Sequence, residues 1–239
     1  MTDTTTHTTD PATIDSAAGA AADRQERQVE QISHVVVRFA GDSGDGMQLT
    51  GDRFTSASAL FGNDLSTFPD YPAEIRAPAG TVNGVSSFQV HISDHDITTP
   101  GDAPNVLVAM NPAALKADLH RLEQNGLLIV NSDAFETRDL EKAGYDHNPL
   151  HDDFLSSYRL VEIPMTSPTP PASELLGVKA RASERSKNFF ALGVISWLYS
   201  RPTEPTVEWI EARFKDLVKA SNLAAFKAGY NFGETSELF

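Results

Sequence analysis

The sequence predicts an α/β fold, with a Rossmann-like, mostly parallel sheet flanked by helices and a helical C-terminal part. Continuous apolar runs of strand length occur at residues 34–40, 103–110 and 126–130, as is typical of strands that are covered on both faces. Segments with helical spacing of their apolar residues lie between these runs. This strand–helix–strand order indicates parallel pairing with right-handed crossovers.

The composition of the 239-residue chain excludes several classes of function. Its 33 acidic residues outnumber 19 Lys and Arg residues, for a formal charge of −14, which argues against nucleic acid or anionic membranes as partners. The absence of cysteine excludes disulfides, thiolate metal sites and iron–sulfur ligation by this chain. No apolar run approaches the ~20 residues that span a bilayer, and no signal peptide is evident. We therefore expect a cytoplasmic protein.

Residues 1–33 are predicted to form a disordered tail. They are rich in Thr, Ala, Asp and Gln and contain no aromatic residue. Such a segment cannot bury enough apolar surface to offset the entropy lost on ordering. A short helix over residues 21–32 is the alternative.

In the first half of the chain, changes in the spacing of apolar residues predict the strands and helices. Residues 34–40 are predicted to be a buried strand, residues 47–60 a helix and residues 64–68 a second strand. The next stretch, FPDYPAEIRAP, contains three prolines and is predicted to be an ordered irregular loop, because proline fixes φ and lacks an N–H. Alternation over residues 82–92 predicts a half-exposed strand.

The second half continues the same rhythm. A strand over residues 103–110 is followed by Pro112, which is suited to the first position of a helix that reaches residue 124. Strands are predicted over residues 126–130 and 158–163. Further helices are predicted over residues 183–200, 202–219 and 223–228.

The loop GDSGDG, after the first strand, is the main candidate site. Its glycines Gly41, Gly44 and Gly46 have the spacing G-x-x-G-x-G rather than the dinucleotide pattern G-x-G-x-x-G. Backbone N–H groups in such a loop, with the dipole of the following helix, form an anion site. Asp42 and Asp45 oppose a phosphate unless they point away or meet a cation. A tight turn needed only for packing is the alternative.

Two other patterns predict little chemistry. The letters GDSG resemble the active-site serine stretch of trypsin-like proteases, but those enzymes are β-barrels, so Ser43 is not predicted to be a nucleophile. His91, Asp94, His95 and Asp96 could form a metal site on paper, but alternating directions along a strand and turn scatter them. We expect no metal site and no catalytic residue in this chain.

Polar residues at three element ends are further candidates. Asn111 and Asn131 each follow an apolar strand, at the edge where open α/β sheets bind ligands, although N-capping of a helix explains both equally well. The helix predicted over residues 183–200, which contains Phe189 and Phe190, begins with the polar residues Arg185, Lys187 and Asn188. Cations in the first turn of a helix oppose its dipole. These cations indicate a nearby anion, a partner surface or solvent-exposed charge.

Four motifs in order identify a resemblance. At VVVRFAGDSGDGMQLTG, PAEIRAPAG, MNPAAL and RSKNFFALG the chain resembles the gamma domain of 2-oxoacid:ferredoxin oxidoreductases, and most closely the N-terminal part of the alpha subunit of the 2-oxoglutarate enzyme. The resemblance covers about residues 34–239. It implies a gamma-type domain over residues 34–229, and a linker that starts at residues 230–239 and leads to a domain absent from this chain.

The resemblance implies a share in a larger reaction. The family's complex oxidatively decarboxylates 2-oxoglutarate with coenzyme A, giving succinyl-CoA, carbon dioxide and reduced ferredoxin. Thiamine diphosphate, Mg and the iron–sulfur cluster are expected on a beta subunit, in agreement with the absence of cysteine here. The implied partners are that beta subunit, ferredoxin through the complex and a second alpha–beta pair. The chain is expected to be inactive alone.

The resemblance also implies a set of residues that assist coenzyme A binding. Ser43 stands where the usual family loop, G-x-G-G-x-G, has its second glycine, and Asp42 and Asp45 flank the loop. A competing interpretation therefore has the loop facing the beta subunit, with coenzyme A held chiefly by neighbouring residues. The expected residues, with Asn111 added from its strand-end position, are Gly41, Asp42, Ser43, Gly44, Asp45, Gly46, Met47, Arg76, Asn111, Lys187 and Asn188.

Two rival functions remain open at this stage. The same domain could serve a complex for pyruvate, a branched-chain 2-oxoacid or indolepyruvate, because substrate choice is expected to depend on residues outside this chain. A free nucleotide-binding module is the other rival. The missing G-x-G-x-x-G, together with the lack of a ribose-binding acid after the second strand, counts against it.

Overall fold

The computed structural model describes residues 31–74, 77–101, 103–167 and 180–236. Most of the predicted tail, Arg76 and the last three residues therefore lie outside the described part, and the domain boundaries stay predictions. The elements are β1 (His34–Asp42), α1 (Met47–Ala59), β2 (Asp64–Asp70), β3 (Val85–Ser93), β4 (Val106–Ala109), α2 (Pro112–Asp118), β5 (Leu127–Asn131), α3 (Thr137–Ala143), β6 (Arg159–Ile163), α4 (Ala180–Leu198), α5 (Glu204–Arg213) and α6 (Asp216–Thr235).

One six-stranded sheet organises the domain, in the order β2-β3-β1-β4-β5-β6. Strands β1, β4, β5 and β6 pair in parallel, whereas β3 is antiparallel to both of its neighbours, β1 and β2. The predicted α/β class with a mostly parallel sheet is therefore confirmed. The antiparallel edge arises because the chain turns back directly from β2 through a loop into β3, without a crossover helix.

Each face of the sheet has its own hydrophobic core. On one face, side chains such as Phe39 and Val108 pack against Phe54 of α1 and Phe190 of α4. On the other face, residues such as Leu107 and Leu128 pack with residues of α2 and α3. Because both faces of the central strands are covered, these strands are continuously apolar, as their sequence indicated.

The predicted half-exposed strand over residues 82–92 is corrected in two ways. Its first residues, Val82–Gly84, form a turn of 3-10 helix, and the strand begins at Val85. Ser86, Ser87 and Gln89 are also buried, and the Gln89 side chain donates to the carbonyls of Pro100 and Gly101 at 3.0 and 2.7 Å. Both faces of this strand are therefore buried. Polar side chains are tolerated on one face because the loop that covers it supplies hydrogen-bond acceptors.

The helix boundaries differ from prediction in the last third. The helix predicted over residues 202–219 is two helices, because Phe214 and Lys215 are extended and separate α5 from α6. The short helix predicted over residues 223–228 is part of α6, which has 20 residues. Helix α2 ends at Asp118 rather than at residue 124, with a 3-10 turn after it. The seven-residue α3 was not predicted, since it buries only Leu140 and Ala143.

A charge cluster around the buried Arg38 was not predicted. Arg38 of β1 is 1% exposed, and its guanidinium contacts the carboxylates of Asp70 at 2.8 Å and Asp118 at 2.9 Å. Asp118 also pairs with Arg121 at 3.2 Å. The cluster ties β1 to β2 and to the end of α2.

Within the described ranges, no helix has the length and hydrophobicity needed to cross a membrane.

Candidate functional site

The loop between β1 and α1 lies at the point where the strand order of the sheet reverses. From β1 the chain runs to β2 and β3 on one side and then returns to β4 on the other side of β1. Gly41, near the end of β1, and Asn111, after β4, lie at the carboxyl edge of these neighbouring strands. Open α/β sheets bind ligands in the crevice at such a switch point.

Backbone hydrogen bonds, one of them to Gly84 before β3, hold the loop in a defined turn. The Asp45 N–H donates to the Asp42 carbonyl at 2.8 Å, and the Ser43 N–H donates to the Gly84 carbonyl at 3.1 Å. Gly46 then takes a left-handed conformation, with φ of 78°, and begins α1 without a side-chain cap. The first N–H groups of α1 thus point out of the helix without a capping side chain, and they carry the positive end of its dipole.

Both loop carboxylates are engaged by protein groups. The two carboxylate oxygens of Asp42 accept the Gly80 N–H at 3.1 and 3.0 Å, and Asn111 is close enough for its side chain to stabilise the charged form of this carboxylate. Asp45 Oδ1 pairs with Lys187 Nζ at 2.8 Å, and its Oδ2 accepts the Asp42 N–H at 3.1 Å. Neither carboxylate is therefore directed freely at the mouth of the loop.

The charge state of Asp42 reflects this crowding. Burial raises the pKa of its carboxyl, and repulsion from Asp45 raises it further. The Gly80 N–H, the Asn111 side chain and the positive charge of Lys187 act in the opposite direction. Burial has the largest effect, because removing a carboxylate from water disfavours its charged form.

The start of α4 supplies the cation and the amide of the site. Lys187 reaches the loop with a side chain that is 17% exposed. Asn188 is 5% exposed and lies against Gly46: a Cβ on residue 46 would come within 2.7 Å of Asn188 Nδ2. Asn188 Oδ1 is buried and has no hydrogen-bond partner among the described residues. Gly46 is therefore needed both for its φ angle and for the space that Asn188 occupies.

Nearly all the predicted residues meet at this one place. The loop residues, Lys187 and Asn188 adjoin one another, and Asn111 contacts Asp42 while its Oδ1 caps α2 by accepting the Ala114 N–H at 2.8 Å. Met47 adjoins them through its backbone only, because its side chain is buried in the core. Arg76 lies outside the described residues.

The other candidates do not join the site. Asn131 accepts the Met165 N–H at 3.0 Å and donates to Thr166 at 3.1 Å, so it holds the segment after β6. Ser43 lies in the loop of the site, but it is exposed and no described histidine hydrogen-bonds to it, so it lacks the base that a serine nucleophile requires. His95 contacts Asp94 and Ser93 at 2.9 Å, but no three His, Asp or Glu side chains of the described residues are arranged to hold a metal ion.

Two sets of contacts were missed in the sequence, one in the site and one around Arg38 of β1. Gly80, with φ of 83°, supplies the N–H that binds Asp42; its place after a Pro-Ala pair is a turn signal that could have been noticed. Arg38 holds Asp70, at the start of the proline loop. A single charged residue inside an apolar strand is the signal for it, since such a residue requires buried partners.

The fold and this site define the class of the chain: a Rossmann-like α/β domain with a candidate ligand-binding loop at the switch point of its sheet. The family model for pyruvate ferredoxin/flavodoxin oxidoreductase matches residues 36–232, and the chain belongs to that family. The resemblance found in the sequence, and with it membership in a family of oxidoreductase subunits, is confirmed.

Two curated relatives refine the comparison. The chain is 54% identical over 231 residues to 2-oxoglutarate oxidoreductase subunit KorA of Mycobacterium tuberculosis, covering 96% of this chain and 35% of that protein. It is 30% identical over 203 residues to 2-oxoglutarate synthase subunit KorC of Methanothermobacter thermautotrophicus, covering 81% of this chain and 92% of the relative. The chain thus spans about a third of KorA and nearly all of KorC.

Solved structures share the fold. The 2-oxoglutarate:ferredoxin oxidoreductase of Magnetococcus marinus, with 2-oxoglutarate, coenzyme A and succinyl-CoA bound, matches with a TM-score of 0.65 at 24% identity, over 87% of this chain and 32% of that one. The gamma subunit of a keto/oxoacid ferredoxin oxidoreductase from Geobacter sulfurreducens matches with a TM-score of 0.57 at 20% identity, over 84% of this chain and 99% of that one. Both matches support the fold described above.

Proposed function

We propose that this chain is the gamma-type domain of a KorA-like subunit in a 2-oxoglutarate:ferredoxin oxidoreductase, where it contributes to coenzyme A binding and to assembly of the complex. The 54% identity to KorA supports the choice of 2-oxoglutarate over other 2-oxoacids. The observation that carries the binding role is the meeting of Lys187 with the uncapped start of α1 at the switch point of the sheet.

Coenzyme A is a polyanion, and this edge offers it two complementary features. The first N–H groups of α1 attract negative charge through the helix dipole, and Lys187 adds a full positive charge close to them. The two loop carboxylates are held by Gly80 and Lys187, so neither is directed freely at these N–H groups. Lys187 and the loop would bind and orient the phosphates of coenzyme A, whose thiol accepts the succinyl group.

The other cofactors belong elsewhere in the proposed complex. This chain has no cysteine to ligate an iron–sulfur cluster, and the described residues hold no group of side chains arranged for Mg. Thiamine diphosphate, Mg and the iron–sulfur cluster are therefore assigned to a beta subunit, which would transfer electrons to ferredoxin. A paired alpha–beta assembly completes the proposal, and the isolated chain would be inactive.

The test captures the complex through a tag on this chain in its own cell. Its activity is viologen reduction that depends on both 2-oxoglutarate and coenzyme A. Replacing Lys187 with Met should raise KM for coenzyme A about tenfold, because a charge-assisted contact to phosphate is lost, with KM for 2-oxoglutarate unchanged.

The control is Lys227→Met, at an exposed lysine of α6, which should leave both KM values at their wild-type levels. If Lys187→Met and the control behave alike, the binding role is wrong. If another 2-oxoacid supports faster turnover than 2-oxoglutarate, the substrate assignment is wrong.

A further inference from the structure

Asp45 makes the contacts that a bound phosphate would make. One of its carboxylate oxygens lies 2.8 Å from Lys187 Nζ, and the other accepts the loop N–H of Asp42 at 3.1 Å. The Asp45 side chain is only 13% exposed, and that of Lys187 17%. A negatively charged group of the protein itself therefore holds both a cation and an N–H donor at the start of α1.

A phosphate and Asp45 cannot share this arrangement without cost. Lys187 carries a single positive charge, so at short range in this partly desolvated site it can pair fully with either Asp45 or a phosphate, but not with both. Asp42, the other loop carboxylate, already experiences repulsion from Asp45. The pair of Asp45 and Lys187 has to loosen before an anion can make full use of Lys187.

An unpartnered amide oxygen lies beside the start of α1 and is suited to a donor group of coenzyme A, such as an amide N–H or a hydroxyl, rather than to its phosphates. Asn188 is 95% buried beside Gly46, and its Oδ1 has no hydrogen-bond partner among the described residues. A buried carbonyl oxygen without a donor costs free energy that a ligand N–H or O–H would recover. This observation is independent of the helix dipole and of the Asp45–Lys187 pair.

We propose that Asp45 is an intramolecular competitor of the coenzyme A phosphates. Lys187 pairs with Asp45 in the free protein and transfers to a phosphate when coenzyme A binds. Asp45 thereby lowers the affinity of the site and keeps Lys187 ordered while the site is empty. The inference rests on the proposed coenzyme A role of this loop and adds the exchange of partners that sets its affinity.

The experiment is a double-mutant cycle in the complex captured through this chain. Asp45→Asn keeps an oxygen for the Asp42 N–H but removes the charge, so KM for coenzyme A should fall about fivefold with kcat unchanged. In the Lys187→Met background the same substitution should no longer lower KM, because there is no Lys187 to release. Asp52→Asn, on α1 at an exposed ion pair with Arg53, is the matched control and should change neither value.

Each result decides the inference. A KM that stays the same or rises in Asp45→Asn overturns the competitor role, provided that the variant melts as the wild type does. If that variant unfolds, Asp45→Ser, which also removes the charge, replaces it and should lower KM in the same way. A fall in KM that persists without Lys187 overturns the exchange in favour of simple repulsion. If Lys187→Met alone leaves KM for coenzyme A unchanged, the proposed function fails, and this failure is distinct from that of the inference.

Discussion

Helix α4 contacts two regions that use glycine for opposite reasons. At its start it meets the loop, where a Cβ on Gly44 would have nothing within 4 Å and Gly46 needs its positive φ. Further along it crosses α6, where a Cβ on Gly193 would come within 2.2 Å of the Phe226 carbonyl oxygen. At Gly229 the corresponding distance, to the Phe190 carbonyl oxygen, is 2.0 Å.

The glycines at the helix crossing are required for close packing, whereas those in the loop are required for its shape and for the space around it. In a helix interior glycine costs about 1 kcal/mol relative to alanine, so its presence at the α4–α6 crossing indicates that backbone contact more than offsets this cost. In the loop, glycine keeps space open and allows a turn that other residues avoid. Changes at the crossing should therefore lower stability, and changes in the loop should chiefly affect binding.

The largest effect is expected for Gly229→Ala. An added methyl group would overlap the Phe190 carbonyl, so α4 and α6 must separate, and the free energy of unfolding should fall by about 3 kcal/mol. Urea unfolding of the purified protein measures it. Gly44→Ala, the same substitution in open space, is the control and should change stability by less than about 0.5 kcal/mol. Equal midpoints for the two variants would contradict the close crossing.

This contrast also shows what the sequence could and could not predict. The loop was predictable because its determinants are local: an apolar strand, three glycines and a change of period lie within a short stretch. The pairing of α4 with α6 was not, because Gly193 and Gly229 are separated in sequence and only their contact explains them. The break at Phe214 and Lys215, which divides the predicted helix into α5 and α6, was also missed. Neither residue is a helix breaker, so nothing local in the sequence marks the break.

The site shows the same division between local and distant determinants. The loop residues, the strand-end position of Asn111 and the polar start of α4 followed from pattern, and the family resemblance linked Lys187 and Asn188 to coenzyme A. The internal pairing of Asp45 with Lys187 was not predictable, because it depends on how α4 lies over the loop. The burial of Arg38 and Gln89 likewise depends on partners supplied by distant segments.

An intermediate effect is expected for Gly46→Ala, where packing and loop shape coincide. A residue with a Cβ pays about 1–2 kcal/mol for the left-handed conformation, and its methyl group would press on Asn188 Nδ2. Adding Asn188→Ala should relieve the contact but not the backbone cost. Urea unfolding of both single variants and the double variant therefore should give a double mutant more stable than additivity predicts. Strict additivity would show that Gly46 is required for its φ angle alone.

The smallest effect is a dependence on pH at Asp42. Its pKa in the folded protein is raised above the ordinary 3.8, chiefly by burial, so its contribution to stability is fully present below pH 3.8 and declines as pH rises through the folded-state pKa. Asp42→Asn removes this decline. Relative to wild type, the variant should gain stability as pH rises above about 4, by less than about 1 kcal/mol because the group is partly solvated.

Urea titrations at several pH values measure this gain, with Asp52→Asn as the exposed control on α1. The loss of the Gly80 contact lowers the stability of Asp42→Asn by an amount that is nearly constant above the folded-state pKa, so only the slope with pH carries the prediction. A slope of opposite sign would mean that Gly80, Asn111 and Lys187 together outweigh burial. In that case the loop would stabilise a charged Asp42 by polar contacts, whereas the crossing of α4 and α6 is stabilised by close backbone packing.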